Sequence, residues 1–310
     1  MITTRSLADL PDQGAGTVVS IGVFDGVHLG HQAILAANAR RSEQLGCTSA
    51  VVTFGGHPKR MLLGRAPKTL TTLEHRLTLF KRAGIGLTLV LDFDEELRSM
   101  PAETFIDRIL VQALDARAFV LGFDSKFGKQ RSGDPELLTR LGHSVEVVPR
   151  VRVRQRAISS TAIREAVELG DLEGAASMLG RPVAVLGEVV HGQALGRTLG
   201  FPTANLDLHH ELHPPAGVYA GLAYPLRDGS GTASPLPAVA NIGTRPTLTG
   251  ITPGEPTVEV HLLDFRGDLY GLPLEFEFVQ ALRPEQHFAD LDQLRAQIAR
   301  DVERAREILA

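Results

Sequence analysis

Three stretches of this 310-residue chain carry residue types at spacings suited to phosphate chemistry. The first, "IGVFDGVHLGHQAIL" at 21–35, holds Gly22, Gly26 and Gly30, the acid Asp25, and two histidines, His28 and His31, that bracket Gly30. It lies between an apolar run and a helical pattern. Glycines at such a junction let the backbone approach a ligand, and a helix start offers unpaired N–H groups and a positive dipole end. His28 and His31 would add two imidazole donors to that anion site. Two histidines three apart also fit the beginning of a metal site or a plain turn. No third ligand is obvious, and the intervening glycine favours a turn.

The second stretch is "ISSTAIR" at 158–164, where Ser159, Ser160 and Thr161 place hydroxyls at a helix start and Arg164 follows on the same face. These residues either cap the helix or contact a phosphate. The third is "HGQALGRTLGFPTANLDL" at 191–208. Gly192, Gly196 and Gly200 make a backbone-exposing loop, and Thr203 and Asn205 fall on one side of an extended segment. A hydroxyl and an amide oxygen suit Mg²⁺, a hard cation, although Thr and Asn also favour ordinary turns. Further on, "TVEVHLLDF" alternates, so Val258, Val260 and Leu262 share one strand face and Glu259, His261 and Leu263 the other. Glu259 there either faces solvent or acts as a base on a hydroxyl within hydrogen-bond reach.

The elements that must position these groups fall into two patterns. Up to about residue 180, apolar strands (17–24, 48–54, 87–93, 117–123, 144–151) alternate with helices (31–46, 72–84, 102–114, 134–142) and end in two short helices over 161–180. That alternation predicts a parallel sheet covered on both faces, with ligands at the carboxyl ends of its strands. Later runs such as "AVLGEVVHG", "AGVYAGLAY", "PLPAVANIG" and "PLEFEFVQAL" are strand-like and broken by glycine and proline, which predicts a small antiparallel barrel. The tail over 287–310 reads as an amphipathic helix with Phe288, Leu291, Leu294, Ile298, Val302 and Leu309 near one face. The expected division is 1–181 and 182–310.

Composition narrows the function classes. A net charge of −4 with interspersed signs argues against a general nucleic-acid binder. The basic run "RVRVRQR" at 150–156 alternates with valine and reads as an edge strand with a solvated face. With only 5% aromatic residues and no Trp, the barrel lacks the stacking platforms of a single-strand binder. A single cysteine, Cys47, excludes an internal disulfide framework and a cysteine-based zinc site, and fits a reducing compartment. No apolar run marks a signal peptide or a membrane span, so a soluble cytoplasmic protein is expected. "GFDSKFGKQ" at 122–130 comes close to a Walker A loop, but it has five residues between its glycines and Gln130 where a hydroxyl belongs. A dinucleotide-binding glycine fingerprint is absent after the first strand.

Taken together, "GVFDGVHLGH", "TFGGHP", "GFDSKFG…RSGD" and "ISSTAIR" follow the order seen in the nucleotidyltransferase half of prokaryotic bifunctional riboflavin kinase/FMN adenylyltransferases. "GRTLGFPTAN", "GVYAG", "NIGTRPT", "VEVHLLDF" and "RPE" likewise resemble the riboflavin kinase module of that family over nearly all of 182–310. The resemblance implies a Rossmann-like α/β domain followed by a riboflavin-kinase-type β-barrel with a terminal helix. It implies two reactions: ATP phosphorylates riboflavin to FMN, and FMN then takes an adenylyl group from a second ATP to give FAD and pyrophosphate.

By position, the resemblance places ATP of the adenylyl transfer against Gly22, Phe24, Asp25, Gly26, His28, His31, His57, Ser160, Thr161 and Arg164. His28 and His31 would be catalytic there. In the kinase it places ATP against Gly192, Gly196, Thr203 and Asn205, gives Mg²⁺ to Thr203 and Asn205, and makes Glu259 the general base. The sequence departs from the family pattern at Gly55 and Gly56, where an acid and a proline are common, and at Ser125 and Lys126, where Phe and Arg are common. The expected partners are small molecules alone, with no nucleic acid and no membrane, in a monomer or weak homo-oligomer. A riboflavin kinase with a re-specified first half, or a flavin or nucleotide sensor without turnover, are the alternatives.

Overall fold

A computed structural model describes residues 1–12, 14–56, 68–153, 156–192, 195–226, 234–244 and 256–310. His57 lies outside the described residues. By contacts the chain forms two compact units, Met1–Thr69 with Leu73–Ser160, and Leu70–Thr72 with Thr161–Ala310.

The first unit is a six-stranded sheet of β1 (Ile2–Thr4), β2 (Thr17–Ile21), β3 (Thr48–Phe54), β4 (Leu87–Leu91), β5 (Ala116–Gly122) and β6 (Val145–Val148). Its order is β1-β4-β3-β2-β5-β6 and every pairing is parallel. Parallel strands buried on both faces should be apolar throughout, and β2, β3 and β4 are almost wholly buried. Val19, Ile21, Val52, Leu89, Phe119 and Leu121 pack on one side against Phe105, Ile106, Ile109, Leu110 and Leu138. On the other side α1 (Leu29–Leu45) and α2 (Leu73–Arg82) cover Val18, Val51, Ala118 and Val120.

The helix expected over 102–114 is present, but after Phe105 it widens to i→i+5 hydrogen bonding through Ala113, with Leu114 N–H donating to the Ile109 carbonyl at 3.1 Å. The basic run does not form an edge strand of this sheet. Arg152–Val153 (β7) folds back antiparallel on Arg156–Ala157 (β8) as a separate hairpin, and β6 is the edge.

Asn38 of α1 is fully buried and pins that helix to the sheet. Its amide nitrogen lies 3.0 Å from the Val18 carbonyl, 3.1 Å from the Ala50 carbonyl and 2.9 Å from the Ser20 hydroxyl. A buried amide is retained at such a place because its partners are fixed and water cannot replace it.

The second unit opens with α3 (Ser160–Glu168, whose first residue closes the first unit) and α4 (Leu172–Leu179). A closed barrel follows, built from β9 (Val183–Val190), β10 (Ala204–Asp207), β11 (Gly217–Pro225), β12 (Leu236–Thr244), β13 (Pro256–Leu262) and β14 (Pro273–Pro284). Its pairings are all antiparallel, in the closed order β10-β13-β12-β11-β14-β9. Closure removes exposed edges.

The terminal helix α5 (Leu291–Leu309) starts at Asp290, whose carboxylate accepts the Gln293 N–H at 2.8 Å. Val302 and Ala305 pack on Val218, Ala220, Val239 and Leu263, with Ile298 and Leu309 at the margin. Leu291, expected on the apolar face, is 55% exposed, because the packed part of the helix begins near Ile298. Arg283 of β14 clamps Asp301 of α5, its Nε lying 3.1 and 3.0 Å from the two carboxylate oxygens.

Asn38→Ala leaves strand carbonyls and the Ser20 hydroxyl without their donor. It should lower the unfolding free energy of the first unit by about 2–3 kcal/mol. Urea unfolding measures this, and a loss below about 0.5 kcal/mol would show that the amide does not pin the helix.

Candidate active sites

The first site forms where the chain leaves β2. Gly22 N–H still pairs with the Val52 carbonyl at 3.0 Å. The backbone then turns through positive φ at Phe24 (53°), Gly26 (81°) and Val27 (38°). Phe24 and Val27 hold these costly conformations because both side chains are buried. The Phe24 ring folds back over Gly22, where a Cβ would lie 3.1 Å from it.

His28 follows in extended backbone and caps α1, its Nδ1 accepting the His31 N–H at 3.3 Å. The helix therefore starts at Leu29 and not at His31 as expected, because an imidazole nitrogen fills the role usually taken by Ser or Asp. With Nδ1 an acceptor, the neutral ring carries its proton on Nε2. The His28 and His31 rings stack with centroids 3.6 Å apart and planes 15° from parallel. Gly30 makes room for this stack, since a Cβ there would lie 3.2 Å from the His28 ring. His31 also meets the edge of Phe24 at 5.2 Å, and Phe24 meets Phe80 of α2 at 5.5 Å.

A cleft of about 480 Å³ opens beside the pair, lined by His28, His31, Gly122, Phe123, Arg150 and Ser160 among others. It sits where β2 has β3 on one side and β5 on the other, the point at which the strand order reverses. Open α/β sheets bind ligands at that point. Phe123 was not expected here from sequence, and Arg150 was read only as the start of a solvated basic run. The Arg150 guanidinium lies over the Phe123 ring at 4.6 Å, a cation–π pair on the cleft wall. Their signal was positional, directly after β5 and β6.

Ser160 donates its hydroxyl to the Asp25 carbonyl at 3.0 Å, tying the "ISST" stretch to the histidine loop. Asp25 is buried. Thr161, exposed, and Arg164, half-buried, stand on α3 within the second unit. Among the described residues, no group of three or more His, Cys, Asp and Glu could hold a metal ion.

The unusual residues at 55, 125 and 126 have local explanations. A Cβ at Gly55 would lie 2.8 Å from the Asp92 carboxylate. Lys126 pairs with Asp134 at 2.7 Å, and Asp134 also accepts the Leu137 N–H. The Lys126 hydrogen bond, foremost, holds the Asp134 carboxyl below its ordinary pKa. Ser125 N–H closes a turn onto the Gly122 carbonyl at 3.0 Å.

The second site lies on the barrel wall. Register places Asn205 of β10 directly opposite Glu259 of β13, and Glu259 opposite Asn241 of β12. Directly paired residues share a sheet face, so the three form one polar row, while Val258 and Val260 fill the interior. Asn241 was missed because nothing local distinguishes it; only strand pairing sets it beside Glu259.

Two of the glycines are defined by what lies against them. A Cβ at Gly192 would lie 2.2 Å from the Asn205 amide nitrogen, and one at Gly196 would lie 2.4 Å from the Phe201 carbonyl and 3.2 Å from the Thr203 hydroxyl. Gly196 falls in the short helix Leu195–Leu199 and not in a loop as expected, so Gly192 and this helix lie directly on Asn205 and Thr203. A cavity of about 350 Å³ is lined by Thr203, Arg197, Phe265, Asp268 and Tyr270 among others. Tyr270 stacks on His191 at 3.9 Å, joining the glycine loop to the turn after β13.

Two family models match the chain, FAD synthetase over residues 10–162 and riboflavin kinase over residues 179–309. The bifunctional riboflavin kinase/FMN adenylyltransferase of Pseudomonas fluorescens is 40% identical over 100% of this chain and 98% of its own. That of Escherichia coli K12 is 40% identical over 98% of this chain and 95% of its own. This chain belongs to that family. The bifunctional family's pattern continues in Haemophilus influenzae, at 38% identity over 94% of both chains. The crystal structure of a macrolide-efflux protein from Streptococcus pneumoniae matches with a TM-score of 0.80 and 31% identity, covering 98% of both chains. No described helix of this family member is long and apolar enough to cross a membrane.

Gly192→Ala would drive a methyl group into the Asn205 amide. It should cut riboflavin phosphorylation by about 100-fold and leave FAD formation from supplied FMN within about twofold of the parent. Assays of the two half-reactions check this, and an unchanged kinase would show that the loop does not need to lie on Asn205.

Proposed function

We propose that residues 182–310 phosphorylate riboflavin to FMN and that residues 1–181 transfer an adenylyl group from ATP to FMN. The chain is a two-reaction flavin cofactor enzyme, as its family membership over both units states. The division between reactions is supported by the span of the two family models, which end at 162 and resume at 179. The observation that carries the reading is the pair of clefts, each bordered by a glycine turn fitted against its own polar side chains.

In the adenylyl site, an oxygen of the FMN phosphate attacks the α-phosphorus of ATP. The bond to the bridging oxygen breaks, and pyrophosphate leaves. No covalent intermediate with the protein is required, so catalysis reduces to positioning and to donors aimed at the spreading negative charge. His28 caps α1 through Nδ1, which fixes its ring at the start of the helix with His31 stacked against it. The start of α1 and Ser160 supply further donors, and the loop from Gly22 to Gly26 carries the backbone.

In the kinase site, Glu259 takes the proton of the riboflavin 5′-hydroxyl as its oxygen attacks the γ-phosphorus of ATP, and ADP leaves. Gly192 and Gly196 bring backbone N–H groups to the phosphates. The Thr203 hydroxyl and the Asn205 amide oxygen suit Mg²⁺ in donor chemistry, and the glycine cradle leaves them uncovered by any Cβ. Bound there, Mg²⁺ would neutralise charge on the transferring phosphates. The low thiol content fits a reducing, cytoplasmic setting, and a monomer or weak homo-oligomer suffices for both sites.

Purified protein incubated with riboflavin, ATP and Mg²⁺ should yield FMN and then FAD on chromatographic separation. The double variant His28→Ala, His31→Ala should form FMN at the parent rate and lose FAD formation by more than about 10³-fold. Asn205→Ala or Glu259→Ala should do the reverse. FMN accumulation with no FAD, even from supplied FMN, would instead favour a re-specified first unit, and equal loss of both activities in either variant would refute separate sites.

A further inference from the structure

Arg76 is a buried cation that neither the sequence motifs nor the substrate clefts account for. It stands on α2 with 4% of its surface exposed. Its guanidinium reaches two separate segments, the turn after β2 and the end of β3. Nη1 donates to the Val23 carbonyl, in the turn after β2, and lies 3.3 Å from the Thr53 hydroxyl. Nη2 donates to the Phe54 carbonyl, at the end of β3, at 3.0 Å. Burial lowers its pKa from the ordinary arginine value, and the charge of Asp25 opposes that shift. Burying a guanidinium is costly, and three oxygen acceptors plus a nearby carboxylate are what make it tolerable here.

The same helix touches the histidine loop a second time. Phe80, one turn beyond Arg76, meets Phe24, and Phe24 meets His31. Val23 and Phe24 are adjacent, so Arg76 grips the backbone of the turn while Phe80 grips its side chain. Asp25, next in the chain, is held from the other side by Ser160. The strained φ at Phe24 and Val27 needs such bracing, because an unbraced turn would relax and carry His28 and His31 with it.

We infer that Arg76 is a positioning residue for adenylyl transfer: its planar fork fixes the turn after β2 to the end of β3, and so sets where the stacked histidines meet the transferred phosphate. This rests on the assignment of His28 and His31 to that reaction. A lysine keeps the charge but reaches one acceptor where the fork joins the turn after β2 to the end of β3, so Arg76→Lys separates span from charge.

Full-length Arg76→Lys should show kcat for FMN adenylylation reduced about 100-fold, with KM for ATP changed less than about threefold. Its riboflavin kinase kcat should stay at the parent value, which also reports that the chain is folded. The effect should be non-additive with His31→Ala, since both would act through one ring. Parent-like adenylylation in Arg76→Lys overturns the inference. So does a loss expressed only as KM, a parallel loss in the kinase, a loss seen only above the variant's thermal unfolding onset, or full additivity with His31→Ala. If His28→Ala and His31→Ala leave FAD formation intact, the underlying site assignment fails instead, and that result is independent of position 76.

Discussion

The first unit depends on how the chain leaves β2. A parallel strand spends all its backbone groups inside the sheet, and the helix after it must begin with N–H groups that nothing in the helix can satisfy. Here the change is made in seven residues, from Gly22 still bonded to Val52 to Leu29 already helical. The turn is possible only through positive φ at Phe24, Gly26 and Val27. Burial of two of those side chains, the buried Arg76 and the Ser160 hydroxyl hold it there. The anion-binding end of α1 and the two imidazoles are a consequence of that turn.

The barrel solves a different problem in a related way. Its strands alternate in and out, so the Glu259 carboxylate stands on the outer face without disturbing the core. Pairing gives Glu259 its polar surroundings: Asn205 and Asn241 stand on either side of it in adjacent strands. The glycines at 192 and 196 are tolerated where helix or strand formers would be more stable, because the space of their missing side chains is already occupied. In both units glycine appears where a polar side chain lies directly against the backbone. Gly30 under His28 and Gly192 under Asn205 are the same device on unrelated architectures.

Much of this was legible in one dimension, because it is local. Strand–helix alternation, the apolar runs of β2 to β5, the barrel strands and the "PTAN" and "ISST" stretches are set by short-range patterning and sit where the sequence places them. The errors occurred where tertiary context overrode a local pattern. The start of α1 moved because an imidazole capped it. The alternating "RVRVRQR" run became part of a separate hairpin, and Leu291 was left outside the packed face. Arg76 and Asn38 were unremarkable in sequence, since a polar residue on a helical pattern is normally solvated.

The sequence by itself therefore determined the two architectures, the family, and the residue types that could meet phosphates and a hydroxyl. The architectures and residue types follow from periodicity, turn chemistry and motif spacing, all encoded within a few tens of residues, and the family from the resemblance of its ordered motifs. Tertiary structure alone decided that His28 and His31 stack, that Arg76 reaches the Val23 and Phe54 carbonyls, 53 and 22 residues earlier in the chain, and that Asn241 stands beside Glu259. Those facts depend on strand order and register, which bring distant segments within hydrogen-bond reach and have no signature in any single window of the chain.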